Sequence, residues 1–314
     1  MQAYQLIFGR NAQRQGEFIG LPLSVLTHAH FKGMTGHGKS NLLAFLAASL
    51  ILQGVGVALI DPAGELARQV LAILVKKGYY EKYPDAMERV VYLDIPQAHR
   101  ERRYMAFNIL SGDYDPYTAA NIVLEGFKRV WPALQDGTST NIEMLIKLGA
   151  YVLAEHKLPL LPYLEEFYTN YEFQLTLLSG VSDVRVSKWF GDLDIAVRPG
   201  YVPEIAKTTL KREILLSFSP MLRYCLYQQE NVLDVAKLLN TGRSALVSLS
   251  LSDPDAKKML GCLFTEQVEA VAKSRGRLTE EQKKQRYAGL LHLKSARQFT
   301  RCMIYSRGSV PAKP

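Results

Sequence analysis

Gly33-Met34-Thr35-Gly36-His37-Gly38-Lys39-Ser40 fits the phosphate-binding pattern G-x-x-x-x-G-K-[ST] at every fixed position. The pattern exists because a triphosphate needs a ring of backbone N–H donors, which bulky side chains would obstruct. Gly33 and Gly38 permit the tight turn, and Gly36 widens its conformational freedom. Lys39 has the length to reach β- and γ-phosphates, and the Ser40 hydroxyl can ligate Mg2+. A helix opening here adds the positive end of its dipole. The candidate nucleotide-binding set is therefore Gly33, Thr35, Gly36, His37, Gly38, Lys39, Ser40 and Asn41, with ATP and Mg2+ as the expected ligands. His37 lies at the loop tip, where it meets nucleotide or solvent; the pattern does not require it.

Such a loop must follow a strand and open a helix. Leu23-Ser24-Val25-Leu26 and His28-Ala29-His30-Phe31 supply short extended segments upstream. Downstream, Asn41-Leu42-Leu43-Ala44-Phe45-Leu46-Ala47-Ala48-Ser49-Leu50 reads as a largely buried helix. Strand and helix patterns then alternate. Gly54-Val55-Gly56-Val57-Ala58-Leu59-Ile60-Asp61 has the continuous apolar run of a strand covered on both faces. A helix is expected over 65–77, and Arg89-Val90-Val91-Tyr92-Leu93-Asp94 reads as the third strand. This alternation predicts an α/β fold with a parallel sheet.

Between about 112 and 239 strand-like runs are scarce. Apolar residues recur at helical spacing over 117–130, 141–155, 161–178, 203–218 and 232–239. An all-helical insertion is expected, with Trp189 and Phe190 as core anchors rather than a stacking platform. The sheet pattern resumes after the Asn240-Thr241-Gly242-Arg243 turn. Ser244-Ala245-Leu246-Val247-Ser248-Leu249 is a buried strand, 259–272 an amphipathic helix and 287–293 a further strand. The expected domains are 1–111 with 240–314, a discontinuous and C-terminally incomplete nucleotide-binding domain, and 112–239, the insertion.

Composition sets the remaining bounds. The 314 residues leave room for about two domains, and 48% hydrophobic content allows a sizeable core. Cys225, Cys262 and Cys302 form no C-x-x-C pair, so neither a zinc site nor a disulfide framework is indicated. No apolar leader precedes Phe18, and the longest apolar run, 42–52, is too short to span a bilayer. A cytoplasmic protein without a transmembrane segment is expected. The net charge of +8 is unevenly placed: 273–314 holds 11 basic and 2 acidic residues, whereas the rest holds 27 and 28. That basic segment suits a nucleic-acid-binding arm or an unfolded or aberrant tail, and charge alone does not choose.

Several segments together resemble one family, the motor ATPases of the HerA/FtsK superfamily, and within it the coupling proteins of type IV secretion and conjugation (the TraD/TraG type). They are HAHFKGMTGHGKSNLL (28–43), GVALIDPAGELA (56–67), RVVYLDIPQ through FNIL (89–110) and LLNTGRSALVSLS (238–250). The Asp61-Pro62-Ala63-Gly64-Glu65 turn, followed by Phe107-Asn108-Ile109-Leu110, is more specific than the phosphate loop. The resemblance implies a RecA-like sheet core with an all-helical insertion and a homo-oligomer of hexameric form. It also implies ATP-driven threading of DNA and association with secretion or conjugation machinery. Coupling proteins usually carry N-terminal membrane helices; their absence here suggests a soluble variant, nearer HerA.

Hydrolysis needs a carboxylate to hold Mg2+ and another to orient water. On pattern alone Asp61 is nominated for both the catalytic and the metal role, with Lys39 as its catalytic partner and Ser40 as the second metal ligand. It ends an apolar strand at the carboxyl edge, where α/β sheets bind ligands. The resemblance implies something else: an Asp-Glu pair at the end of a later strand. The matching stretch is Leu290-Leu291-His292-Leu293-Lys294-Ser295-Ala296-Arg297-Gln298-Phe299, where Lys294 and Ser295 replace the pair. A lysine brings positive charge towards the metal, and a serine is no base at neutral pH. Three explanations stand: a misplaced alignment, an aberrant tail, or a nucleotide-binding protein that does not hydrolyse. No Asp or Glu follows Glu281, so shifting the alignment does not restore the pair. Asp61 or Glu65 as substitute acid is the counter-argument.

The other candidates carry less. His28 and His30, two apart with no nearby cysteine, suit packing or hydrogen bonding better than a metal. Arg243 is a surface arginine or a contact to phosphate or a neighbouring subunit. Arg100-Glu101-Arg102-Arg103 is most simply a solvated loop. Lys273, Arg275, Arg277, Lys283, Lys284 and Arg286 are a helix end and linker, or phosphate contacts.

Overall fold

A computed structural model describes residues 5–14, 16–23, 28–31, 34, 36–112, 114–131, 134, 140–192, 195–231, 234–275, 290–295 and 300–305. The chain divides into two compact units. Unit one comprises 1–100, 235–251 and 271–314; unit two comprises 101–234 and 252–270.

In chain order the first part of unit one contains β1 (Gln5–Arg10), β2 (Phe18–Pro22), β3 (His28–Phe31), α1 (Lys39–Leu52), β4 (Gly56–Asp61), α2 (Glu65–Lys76), α3 (Tyr79–Lys82), α4 (Ala86–Arg89), β5 (Val90–Asp94) and α5 (Ile95–Arg100). Unit two follows with α6 (Pro116–Val130), α7 (Thr140–Glu155), α8 (Tyr163–Thr169), α9 (Tyr171–Ser179), α10 (Val184–Asp192), α11 (Glu204–Phe218) and α12 (Pro220–Leu226). The chain then returns through α13 (Val235–Asn240), β6 (Ser244–Ser248), α14 (Pro254–Arg275), β7 (Leu290–Ser295) and β8 (Thr300–Tyr305).

The main sheet has six strands in the order β3-β8-β7-β4-β6-β5. β4 runs parallel to β6 and β7, and β6 parallel to β5. β8 is antiparallel to both β3 and β7, so β3 shares the direction of β4 to β7 and β8 alone is reversed. The sheet is therefore mixed but parallel-dominated. A consequence for any site is that β3, β4, β5, β6 and β7 all end at the same edge.

The expected parallel strands form because their sequences suit burial on both faces. Every residue of β4 and of β6 is buried. α1 packs on β4 and α2 and is apolar nearly all round: Leu43, Ala44, Leu46, Ala47, Ala48, Leu50 and Ile51 are buried. A helix without a polar face is a central helix. Two parts of this unit depart from the sequence expectation. The segment before Leu23 folds as an antiparallel hairpin, β1 with β2. Its anchor is Gln53, whose side-chain amide accepts from the Gln5 N–H at 3.0 Å and donates to the Gln5 carbonyl at 2.9 Å. And β8 adds a reversed strand, Thr300–Tyr305, that the sequence pattern did not announce.

Unit two is all-helical among its described residues. α6 starts where Asp115 accepts from the Thr118 N–H at 2.9 Å, with Pro116 at the first position, a strong start signal. The single helix expected over 161–178 is broken. Asn170 takes an extended conformation and its side chain accepts from the Phe173 N–H at 3.2 Å, capping α9 and ending α8. α14 is longer than the expected 259–272, and its 254–270 portion groups with unit two rather than with the sheet. Phe107 shows why: it is fully buried and stacked on Phe264 with ring centroids 4.3 Å apart. Phe190 is a core residue, as expected, but Trp189 is 42% exposed and is not.

Candidate nucleotide site

The loop ahead of α1 holds the first set of candidates. Gly36 has φ 84° and Gly38 φ 77°, a left-handed backbone that glycine adopts without steric cost. A Cβ built on either would meet nothing within 4 Å. These glycines are therefore required by backbone conformation, and the space beside them is open. Lys39 Nζ donates to the Met34 carbonyl at 2.8 Å, and the His37 N–H donates to the same oxygen at 3.3 Å. The loop thus closes on Met34.

Gly38 is the residue ahead of α1, and no side chain caps that helix. Its first turn contains no acid. A helix start leaves its early N–H groups without intrahelical partners, and these with the dipole favour an anion. Ser40 and Asn41 are exposed beside them and Lys39 is half-buried. The described residues thus fit a phosphate: uncapped amides, two left-handed glycines and a lysine. Gly33 and Thr35 lie outside the described residues.

Asp61 occupies a different environment. It is fully buried. Its Oδ1 accepts from the Ala63 N–H at 3.0 Å and its Oδ2 from the Ala67 N–H at 3.1 Å. Both carboxylate oxygens therefore serve the start of α2. The main-chain carbonyl of Asp61 accepts from the Leu249 N–H at 2.8 Å, tying the ends of β4 and β6 together. The glycine of the same turn is just as constrained. Gly64 has φ 82°, and a Cβ there would lie 2.8 Å from Ser248 Oγ and 3.0 Å from Ser250. The Asp and Gly of the Asp-Pro-x-Gly-Glu pattern are accounted for by this turn: an internal acid bonded to one amide of the turn and one of α2, and a glycine beside two serines. Glu65 is exposed in the first turn of α2.

The end of β7 lies beside β4. Lys294 is in register with Ile60, and across the β7–β8 ladder Lys294 pairs with Arg301 and Ser295 with Thr300. This part of the carboxyl edge is built from basic and hydroxyl residue types. The acid that sequence reasoning passed over is Asp94, at the end of β5. It pairs in register with Ser248, which pairs in turn with Asp61. Its Oδ1 accepts from the Gln97 N–H at 3.1 Å and its Oδ2 from the Tyr92 hydroxyl at 2.9 Å. Burial first, and that bond second, push the Tyr92 phenol up to about 12. The available signal was a strand ending in an acid, the same one that nominated Asp61.

Arg243 precedes β6, at the amino end of the strands, and pairs with Glu88 at 3.0 Å. Asn108 belongs to unit two, where it is buried; its side chain donates to the Gln229 carbonyl at 3.1 Å and accepts from the Leu110 N–H at 3.0 Å. His28 and His30 lie on β3, in register with Met303 and Arg301. Arg277, Lys283, Lys284 and Arg286 lie outside the described residues. No cluster of three metal-ligating side chains occurs among the described residues, and no described helix is long and apolar enough to cross a membrane.

The fold and loop together define a mixed α/β protein with a phosphate-type loop opening its central helix. No protein-family profile matches the sequence, and no curated protein matches it significantly. Among solved structures the chain is similar to a bacterial conjugative coupling protein, TrwBdeltaN70, in its unbound monoclinic form. The match has a TM-score of 0.44 and 19% identity, and covers 79% of this chain and 51% of that one. This chain thus spans about half the length of the protein it matches. A likeness at that level assigns no site and no activity.

Proposed function

We propose that this chain is the ATP-binding core of a motor ATPase of the coupling-protein type, RecA-like in its sheet, with hydrolysis impaired. The observation that carries the reading is the uncapped start of α1 behind left-handed Gly36 and Gly38, with Lys39 and Ser40 in its first turn. In this reading the amides after Gly36 and the Lys39 ammonium bind the β- and γ-phosphates, and the Ser40 hydroxyl holds Mg2+. When bound, the metal neutralises charge developing on the transferred phosphoryl group. His37 and Asn41 border the same loop. DNA, a hexameric ring and secretion or conjugation machinery are the partners that the sequence resemblance implies. The domains would be the nucleotide-binding part, 1–111 with 240–314, and the insertion, 112–239, the latter recruiting part of α14.

Impaired hydrolysis is supported by the backbone position of Lys294, in register with Ile60 next to the carboxyl end of β4. It is supported also by Asp61, whose two oxygens are engaged by backbone N–H groups. The same observations favour a second reading, a non-catalytic nucleotide-binding subunit or a remnant of such an ATPase. Binding of a fluorescent ATP analogue with Mg2+, and phosphate release with and without DNA, test both. We expect binding that Lys39→Ala reduces at least tenfold, and turnover near background. A gain in turnover in Lys294→Asp with Ser295→Glu would support the motor reading over the non-catalytic one. Turnover in the unmodified chain that disappears in Lys39→Ala overturns the impairment. No affinity for ATP or ADP at millimolar concentration overturns the whole reading.

A further inference from the structure

Tyr117 is the second residue of α6 and is 58% exposed. Its hydroxyl accepts from Lys147 Nζ on α7 at 3.3 Å, and the same ammonium lies 4.4 Å from the ring centroid. The Lys147 bond first, and a bond from the Asn121 side chain second, hold the phenol below its usual value. Tyr92 and Tyr151 have the opposite arrangement. Each donates its hydroxyl to a carboxylate, Asp94 and Glu155 respectively, at 2.9 Å. Burial first, and those bonds second, push both phenols up to about 12. A hydroxyl that donates to a carboxylate is held protonated, whereas one that accepts from an ammonium gives up its proton more readily.

The acids of this region are engaged elsewhere. Asp115, just ahead of α6, opposes the ammonium, but its two oxygens accept from the Thr118 N–H at 2.9 Å and the Thr118 hydroxyl at 2.7 Å. Glu125 on α6 and Glu143 on α7 pair with Lys128, at 3.7 Å and 2.7 Å. Glu266 and Glu269 on α14 pair with Arg129. An exposed phenol that ionises beside a cation is a nucleophile. The charge of the product decides which electrophile suits it. An acyl group leaves a neutral ester, which forfeits the attraction to Lys147. A phosphoryl group leaves an anion, which Lys147 favours and which the first turn of α6, itself without an acid, also favours.

We propose that Tyr117 is a phosphorylation site, its phenol activated by the Lys147 ammonium and the Asn121 side chain. The phenol oxygen forms a bond to the γ-phosphorus of a nucleoside triphosphate presented by a separate tyrosine kinase. The bond from that phosphorus to the bridging oxygen breaks, the nucleoside diphosphate leaves, and the phenol proton passes to water. The site rests on unit two alone and does not depend on the nucleotide reading of the α1 loop.

Two measurements on the full chain test it. The first uses a fluorophosphonate probe, which transfers its phosphorus with loss of fluoride, followed by peptide mapping. Tyr117 should be labelled faster than Tyr201, which is 48% exposed. Lys147→Gln should slow the labelling of Tyr117 about twofold to fivefold and move its half-maximal pH upward. Lys147→Arg, which keeps the charge, should be labelled as the parent is. The second uses a broad-specificity tyrosine kinase with ATP. Phosphate should appear on Tyr117 before any other tyrosine, and the phosphorylated chain should unfold at a higher temperature than the unmodified one, a gain that Lys147→Gln removes. Tyr117→Phe should abolish both modifications of that peptide. Circular dichroism identifies a glutamine variant that has unfolded, and the comparison with Tyr201 then decides. Labelling of Tyr117 no faster than that of Tyr201, an unchanged rate in folded Lys147→Gln, or a kinase reaction that leaves Tyr117 unmodified overturns the proposal.

Discussion

Asp61 and Gly64 show how one short turn uses its residues for architecture. Asp61 bonds two backbone amides from full burial, so Asp61→Asn should lower stability by about 1–2 kcal/mol, read as a shifted denaturant midpoint. Nucleotide affinity should change little, because the phosphate contacts assigned above lie in the α1 loop. Gly64→Ala should cost about 1–3 kcal/mol, since φ 82° strains any Cβ and Ser248 Oγ stands 2.8 Å from where it would go. The same measurement checks it, and an unchanged midpoint would mean that the turn relaxes freely. Cys225 illustrates burial acting on chemistry. Removal from water pushes its thiol up to about 12, so the reactive thiolate is scarce at neutral pH. Alkylation followed by peptide mapping should find Cys225 unmodified at pH 8 in the folded chain and modified in denaturant.

Helix α9 owes its separate existence to Asn170. Asn170→Ala removes the cap and should destabilise the chain by about 1 kcal/mol, again by denaturant midpoint. The break could not be seen in the hydrophobic pattern, because apolar residues continue at helical spacing from Leu164 through Phe167 to Leu177 across it. Where pattern and burial coincide, the sequence was sufficient: the Val57 to Ile60 run became β4, and the Ser244 to Ser248 run became β6. The hairpin β1–β2 was opaque for the opposite reason. Phe18, Ile19 and Leu21 are exposed, so the apolar residues of β2 do not mark a core face. β8 is held by its ladders to β3 and β7, and long-range pairing leaves no local signature. The turn at Gly36 and Gly38 was legible because both glycines answer a backbone demand. The role of Asp61 is not fixed by its place in the sequence, because an acid ending a strand reads the same whether it meets a metal or a backbone amide.

Considered as a whole, the chain carries its positive excess in 273–314, and its remaining residues are near neutral. Substituting Lys283, Lys284 and Arg286 by glutamine should lower the salt concentration at which the protein leaves a heparin column, if that segment neutralises anionic groups. An unchanged elution position would assign the affinity to the rest of the molecule. The reversed strand β8 has a further consequence, for biosynthesis. β3, which leads into the phosphate loop, makes its only described ladder with β8. A strand translated near the start must therefore wait for one translated near residue 300. While the nascent polypeptide is still threaded through the ribosome, β3 has only side-chain packing such as Phe31 on Phe8 to hold it and lacks its described sheet partner, so the pocket matures late.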